Sequence, residues 1–383
     1  MSTATDRKQN LAPPAAHFTS ADKQLLRRRL FAWYSKSARD LPWRRSRDAY
    51  GVWVSEVMLQ QTTVAAVRDY FKRFMEAFPD VHALANAPET RVMRAWEGLG
   101  YYRRARQLHA AAKKIVAEHG GALPPNVVEL QELPGIGRYT AGAIASIAFG
   151  QRAPILEANT VRLLSRLIGY REDPLATTGQ RVLWRVAEEI LPQKNVAHFN
   201  QALMELGSLV CTPSVPNCAE CPLSAVCTAF SLGLQSEIPR PKARKTYTYL
   251  REAAVLVRKN GSVLIRRCGE GERWAGLWDF PRFGLDAEGP LYARDEIVAK
   301  VCEQTGVTCA PTGLLKTFKH GVTRYRITLE CYEAKHVAGR VHLASSATAR
   351  WVKFSELSEI PLSATGRQIA KLLPGDTSRS KKS

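Results

Sequence analysis

Four of the eight cysteines fall within seventeen positions: Cys211, Cys218, Cys221 and Cys227, with six, two and five residues between them. Thiols so close in sequence must share one local structure, and they serve there as metal ligands or as halves of disulfides. The disulfide reading needs an oxidising compartment, yet the N-terminus lacks the basic-then-apolar layout of a secretory leader. No apolar run reaches the ~18–20 residues of a membrane span, and the best candidate, residues 139–149, is small-residue-rich and reads as a buried helix. The expectation is therefore a soluble, cytoplasmic protein whose four clustered cysteines hold a metal centre. No histidine lies among them to make a mixed zinc site. A four-cysteine zinc ribbon stays open, although only Cys218 and Cys221 form the close pair that such a ribbon uses twice. Cys268, Cys302, Cys309 and Cys331 are scattered singly and read as core or incidental thiols.

Ahead of the cysteines, residues 20–210 read as an all-α domain. Val64, Val67, Phe71, Phe74 and Phe78 keep a spacing of three and four that paints one helical face. Similar patterns recur at 91–96, 104–119, 159–168, 180–191 and 200–210, separated by breakers such as Gly120-Gly121 and Pro124-Pro125. Residues 211–230 form the cysteine loop, and 231–247 a linker whose Pro- and Lys-rich part, 238–245, is expected to be exposed. Beyond it the period changes from helical to strand-like. Asn260-Gly261 between apolar runs signals a hairpin, and Tyr325, Ile327, Leu329 and Cys331 alternate with polar residues as in a half-buried strand. With a closing helix near 364–373, residues 248–373 read as an α+β domain. The ends, 1–19 and 374–383, read as disordered tails.

Charge narrows the choice of partner. The chain carries 55 Lys and Arg against 35 Asp and Glu, a formal net charge of +20, which suits a polyanion because basic side chains release the counterions condensed on it. Leu133-Pro134-Gly135-Ile136-Gly137 joins two helical stretches. Gly135 and Gly137 allow a tight turn that offers the free N–H groups of the next helix to a phosphate, or only a helix–turn–helix corner. Two acids stand out. Glu56, with Ser55 as a cap, is read in the first turn of a helix, followed by Val57, Met58 and Leu59, so that burial can hold its proton; it can equally be an ordinary first-turn carboxylate. Glu157 follows the apolar strip Pro154-Ile155-Leu156 and enters a helix near Asn159, where it caps the helix or supplies the second carboxylate of glycosyl chemistry.

In this order and spacing the motifs resemble the helix–hairpin–helix (endonuclease III) superfamily of DNA glycosylases, and within it the adenine glycosylase (MutY) branch. Ser55 to Thr62 and Gly98 to Arg106 look like that family's signature blocks. The likeness is strong over residues 25–230 and looser over 245–372. It implies a multidomain chain: an all-α helix–hairpin–helix glycosylase domain with an iron–sulfur loop, then an α+β Nudix-like recognition domain. It implies a monomer that removes adenine mispaired with 8-oxoguanine or guanine in double-stranded DNA, with a [4Fe–4S] cluster on Cys211, Cys218, Cys221 and Cys227. Glu56 would be the general acid, with Glu157, Tyr139 and Asn159 completing the catalytic set. Trp43, Arg44 and Gln201 would line the pocket of the flipped adenine. Gln60, Gln61, Thr62, Leu99 and Tyr101 would wedge into the duplex, Gly135 and Gly137 would bind phosphate, and Phe318, Lys319 and His320 would form a loop against the damaged base. Strand-nicking relatives place a lysine where Tyr139 stands, so hydrolysis without strand cleavage is implied.

Three departures from the family pattern stand out. Glu157-Ala158 replaces an aspartate followed by glycine, Lys319 replaces a serine, and residues 212–217 lack a basic residue. Glu157 admits an altered substrate range or a catalytically weak lesion-binding protein. Residues 299–307 lack most of the acids with which a Nudix hydrolase binds magnesium, so the second domain reads as a recognition module.

Overall fold

The structure, a computed structural model, describes residues 17–240, 246–286, 290–341 and 349–373. Most of both expected tails (1–16 and 374–383) and the linker core at 241–245 lie outside the described residues. In chain order the helices are α1 (Ser20–Ser37), α2 (Ala49–Leu59), α3 (Val64–Ala77), α4 (Val81–Asn86), α5 (Glu89–Ala95), α6 (Arg103–His119) and α7 (Val127–Gln131). There follow α8 (Arg138–Ile147), α9 (Ala158–Leu167), α10 (Thr177–Ile190), α11 (Val196–Leu209), α12 (Thr228–Ser231), α13 (Pro290–Thr305) and α14 (Ala364–Ala370). The chain forms two compact units, residues 1–60 with 118–242 and residues 61–117 with 243–383. No described helix is long and apolar enough to cross a membrane.

The first unit is helical. Leu26 and Leu30 of α1, Leu164 of α9, Leu183 of α10 and Phe199 and Leu206 of α11 close one core. Burial here overrides the simple amphipathic stripe in α2, where every residue from Tyr50 to Met58 is buried. That corrects the expected helix start. Asp48 caps α2 by accepting from the Gly51 N–H at 2.7 Å, so Glu56 lies beyond the middle of the helix, and Ser55 donates to the Val52 carbonyl at 2.8 Å and caps nothing. An uninterrupted apolar run hides its own N-terminus, because no period marks where the first turn begins. The expected exposure of 238–245 also fails at its start. Ile238 is buried, and its carbonyl accepts from Arg166 Nε at 2.7 Å.

In the second unit Val67, Phe71, Phe74 and Phe78 turn inward on and just beyond α3, as their spacing requires. The strands are β1 (Thr248–Lys259), β2 (Ser262–Arg267), β3 (Trp278–Asp279), β4 (Arg282–Gly284), β5 (Val307–Val322), β6 (Tyr325–Gly339) and β7 (Ala349–Lys353). They make one mixed sheet in the order β3-β2-β1-β6-β5, with β4 on β1 and β7 on β2. β1 and β6 run parallel. Asn260 and Gly261, both at positive φ, make the two-residue turn between β1 and β2, the conformation for which such pairs are favoured. Glu97 ties the helical and sheet parts of this unit together, accepting from Arg367 Nε at 2.7 Å and Nη2 at 3.0 Å and from the Leu362 N–H at 3.2 Å.

Candidate active site and cysteine cavity

Three helices of the first unit bring the two acids and their partners together. α8 begins directly after the glycine turn, where Gly135 takes φ +78° and Gly137 is the N-cap with no side-chain cap. The N–H groups of the first turn of such a helix have no intrahelical acceptor, a geometry open to an anion. Tyr139, one residue into α8, donates its hydroxyl proton to Glu56 Oε2 at 2.5 Å and lies 3.3 Å from Met204 Sδ. Glu56 is 5% exposed. Burial pushes its pKa up to about 7, against the opposing hydrogen bond from Tyr139, and the charge of Glu157 adds to the rise.

Glu157 is the N-cap of α9. Its Oε1 accepts from the Thr160 N–H at 3.0 Å, and its Oε2 from the Asn159 N–H at 2.9 Å and Asn159 Nδ2 at 3.2 Å. Thr160 Oγ1 accepts from the Glu157 N–H at 2.7 Å in return, closing a capping box. Both carboxylate oxygens are therefore fixed from the helix end, and the extra methylene relative to aspartate is taken up by folding back onto the N-terminus. Burial raises this carboxyl above its usual range, while the N–H groups of Asn159 and Thr160 pull it back.

Arg162 and Gly207 escaped the sequence reading. Arg162 Nη2 donates to Asn159 Oδ1 at 3.0 Å and to the Gly207 carbonyl at 2.6 Å, and Nε to the Cys211 carbonyl at 2.7 Å. A Cβ on Gly207 would lie 2.8 Å from Asn159 Cβ, so only glycine lets α11 approach the start of α9. A glycine inside a helical pattern was the one available signal.

Beside them, Arg44 and Gln201 line an open cavity of about 680 Å³ with Phe31, Tyr34, Arg39 and His198. Trp43 is buried in the turn Pro42–Arg44 and is not among the residues lining this cavity. The missed residues here are Arg39 and Glu205. Glu205 Oε1 accepts from Arg39 Nε at 2.7 Å, and Oε2 from Arg39 Nη2 at 2.9 Å and Arg44 Nη2 at 2.8 Å. Burial opposes ionisation of Glu205, but the hydrogen bonds from Arg39 and Arg44 outweigh it and draw the pKa down to about 2. Tyr34 donates to Gln201 Oε1 at 2.9 Å, which orients the amide.

The four cysteine side chains line one cavity with Arg166, Phe230 and Gln235. No group of three or more His, Cys, Asp or Glu among the described residues is placed to hold a single metal ion. Arg166 is 2% exposed. It donates to Cys211 Sγ at 3.3 Å and to the carbonyls of Thr212, Pro213 and Ile238, and no carboxylate pairs with it among the described residues. Negative charge nearby would further stabilise a guanidinium buried this deeply, and thiolates around an anionic cluster would supply it. Four thiols on one cavity, with no histidine among the residues lining it, fit a sulfur-ligated centre.

The remaining residues named from the sequence lie as follows. Gln60 Nε2 donates to Thr140 Oγ1 at 3.2 Å. In the second unit, Gln61 and Tyr101 adopt φ +56° and +48°, and buried Arg104 holds their turns together. Its Nη2 donates to Thr62 Oγ1 at 3.1 Å and the Gly100 carbonyl at 3.1 Å, and its guanidinium lies over Trp96 and Tyr101. Tyr101 is 48% exposed, whereas Leu99 is buried. Phe318, Lys319 and His320 do not form a loop. They belong to β5 and pair with Leu329, Thr328 and Ile327 of β6, so the pleat turns Lys319 away from its neighbours. Phe318 packs against the sheet's core, and His320 Nε2 lies 3.3 Å from Arg282 Nη2. Burial and then the Arg282 charge lower the His320 pKa.

With this geometry in place, the comparisons with known proteins are decisive. The sequence profile of the HhH-GPD superfamily of base excision DNA repair proteins matches residues 54–189, and that of the NUDIX domain residues 252–372. The adenine DNA glycosylase of Rattus norvegicus is 32% identical over 92% of this chain and 78% of its own length. The chain belongs to the adenine DNA glycosylase family. The human adenine DNA glycosylase is 46% identical over 55% of this chain, a match that spans 40% of the human protein. Among solved structures, a thermostable thymine-DNA glycosylase aligns with TM-score 0.51 and 26% identity over 55% of this chain and 98% of its own. The fold is thus a helical helix–hairpin–helix part followed by a Nudix-like α+β part. Because Gly207 sets how closely α11 approaches Asn159, Gly207→Ala should slow single-turnover base release about 10²-fold, the effect of a misplacement near 1 Å. Circular dichroism melting should register no more than ~3 kcal/mol lost to overpacking.

Proposed function

We propose that this protein hydrolyses the N-glycosidic bond of adenine paired with 8-oxoguanine or guanine in duplex DNA, without cutting the strand. The observation that carries this reading is the buried Glu56 carboxyl, hydrogen-bonded to Tyr139 and held at a pKa of about 7, in the same unit as a second, N-terminally capped carboxylate. Near neutrality Glu56 still carries a proton to deliver to the departing adenine, as a general acid should. As the base leaves, positive charge develops on the deoxyribose, and the Glu157 carboxylate, oriented by Asn159 and Thr160, stabilises it until water completes the hydrolysis. The phenol of Tyr139 has no amine with which to form a Schiff base, so strand cleavage through such an adduct is closed to it.

The flipped adenine is assigned to the cavity around Arg44, Gln201 and Arg39, with Trp43 as packing behind it. Gln60, Gln61, Thr62 and Tyr101 are assigned to the duplex, with Leu99 supporting them from beneath, and the Gly135–Gly137 turn to a phosphate. Lys319 faces the DNA side of the second domain, with Phe318 and His320 shaping the strand behind it. The protein would act as a monomer in the cytoplasm, on the nucleoid in a bacterium.

Glu56 must be protonated for its role and Glu157 ionised. Single-turnover release of adenine from an A:8-oxoguanine duplex should therefore fall as pH rises through about 7, and fall again in acid as Glu157 takes up a proton. The Glu56 pKa is raised in the folded state, so the protein loses stability from this group as pH climbs from the unfolded value toward about 7. Glu56→Gln should abolish release and melt higher than wild type at pH 8, with the gap closing toward pH 5. A flat pH profile with active Glu56→Gln would remove the carboxyl from the mechanism.

Cys211, Cys218, Cys221 and Cys227 are proposed to hold a [4Fe–4S] cluster, which when bound ties the loop after α11 to α9 and neutralises Arg166. Purified protein should contain iron and acid-labile sulfide in about equal amounts, close to four of each per chain. One zinc per chain in their place would refute the cluster.

A further inference from the structure

α13 covers only part of one face of the sheet. Its 16 residues span ~24 Å, whereas the 16 residues of β5 extend ~50 Å. Ala293, Ile297 and Val301 of α13 pack with Ala253, Val255 and Val257 of β1. Toward the start of β1 the same face is bare: Tyr249 is 79% exposed and Tyr247 39%. Register puts Tyr249 beside Arg326 of β6 and Arg326 beside Gly321 of β5, so the three share one side of the pleat, with Arg251, Thr328 and Lys319 forming the next row.

The charges there are unbalanced. Glu330 is already taken by Arg251 at 2.7 Å, and no carboxylate pairs with Arg324, Arg326 or Lys319 among the described residues. Arg326 is also held in place. Its guanidinium lies 3.9 Å from the Tyr247 ring centroid, and its Nη1 passes so close over Gly321 that any Cβ there would collide with it. Arg324 lies over Tyr325 and donates to its hydroxyl at 3.0 Å. Fixed guanidinium groups flanked by exposed tyrosines match a sugar–phosphate backbone, where arginine and tyrosine supply position rather than sequence.

We propose that Tyr247, Tyr249, Arg324 and Arg326 form a backbone-contact surface for duplex DNA on the Nudix-like domain, in the row beside Lys319. The inference rests on the proposed DNA-repair function and extends it to a surface that binds every duplex alike. Loss of a phosphate contact weakens binding and lowers the salt slope by about one.

The test uses the full-length protein with duplexes that contain or lack an A:8-oxoguanine pair, measuring Kd by fluorescence anisotropy across a salt series. Arg324→Gln/Arg326→Gln should weaken binding to both duplexes by the same factor and lower the slope of log K against log salt by about two. Tyr249→Ala should weaken both without changing the slope. These exposed positions should leave the melting temperature unchanged, so misfolding cannot mimic the effect. An unchanged slope in the arginine variant would overturn the proposal, whether that face is bare or belongs to a protein partner. So would a loss confined to the mispair duplex, which would make the face a base reader. Failure of wild type to bind either duplex would instead refute the DNA-repair reading.

Discussion

A carboxyl group buried in the middle of a helix is the constraint around which the first unit is arranged. Glu56 could have been solvated as a first-turn residue, but Asp48 starts α2 early and carries Glu56 inward, among residues buried from Tyr50 to Met58. Water no longer stabilises the charged form, and the hydroxyl of Tyr139 only partly replaces it. A group that would be fully ionised at neutral pH on the surface thus stands near the midpoint of its titration. Holding it there needs α8 to begin one residue before Tyr139, which the Gly135–Gly137 turn provides.

Glu157 solves the opposite problem with the same materials. It too is desolvated, but it meets two backbone N–H groups at the positive end of α9, which favour its ionised form. Two acids of the same kind thereby meet different surroundings according to where each stands on its helix. The longer side chain at position 157 is absorbed by the cap itself. Arg162 then connects Asn159 to the Cys211 carbonyl, so the order of the cysteine loop and the placement of this carboxylate depend on one another.

Much of this was legible in the sequence because the signals are local. Cysteine spacing, the glycine turn, the Asn260-Gly261 hairpin and the alternation through Tyr325–Cys331 each fix geometry within a few residues. What escaped depends on contacts between distant segments. The Glu205 pairing with Arg39 and Arg44 joins positions more than 160 apart, and nothing in either stretch announces the other. The start of α2 was misplaced since a wholly buried helix has no period to read. Only the family resemblance makes Phe318–His320 a loop, whereas antiparallel pairing with β6 draws them into a strand and splits them between two faces.

In the proposed mechanism Glu157, in spite of its extra methylene, serves as the ionised partner of a protonated Glu56. Single-turnover adenine release from an A:8-oxoguanine duplex by Glu157→Gln and Glu157→Asp separates charge from size at this position. Glu157→Gln, which keeps the size and a cap oxygen but not the charge, should lose at least about 10²-fold in rate. Glu157→Asp, which keeps the charge and can still cap α9, should stay within about tenfold of wild type. Wild-type release by Glu157→Gln would show that the charge at position 157 takes no part in catalysis.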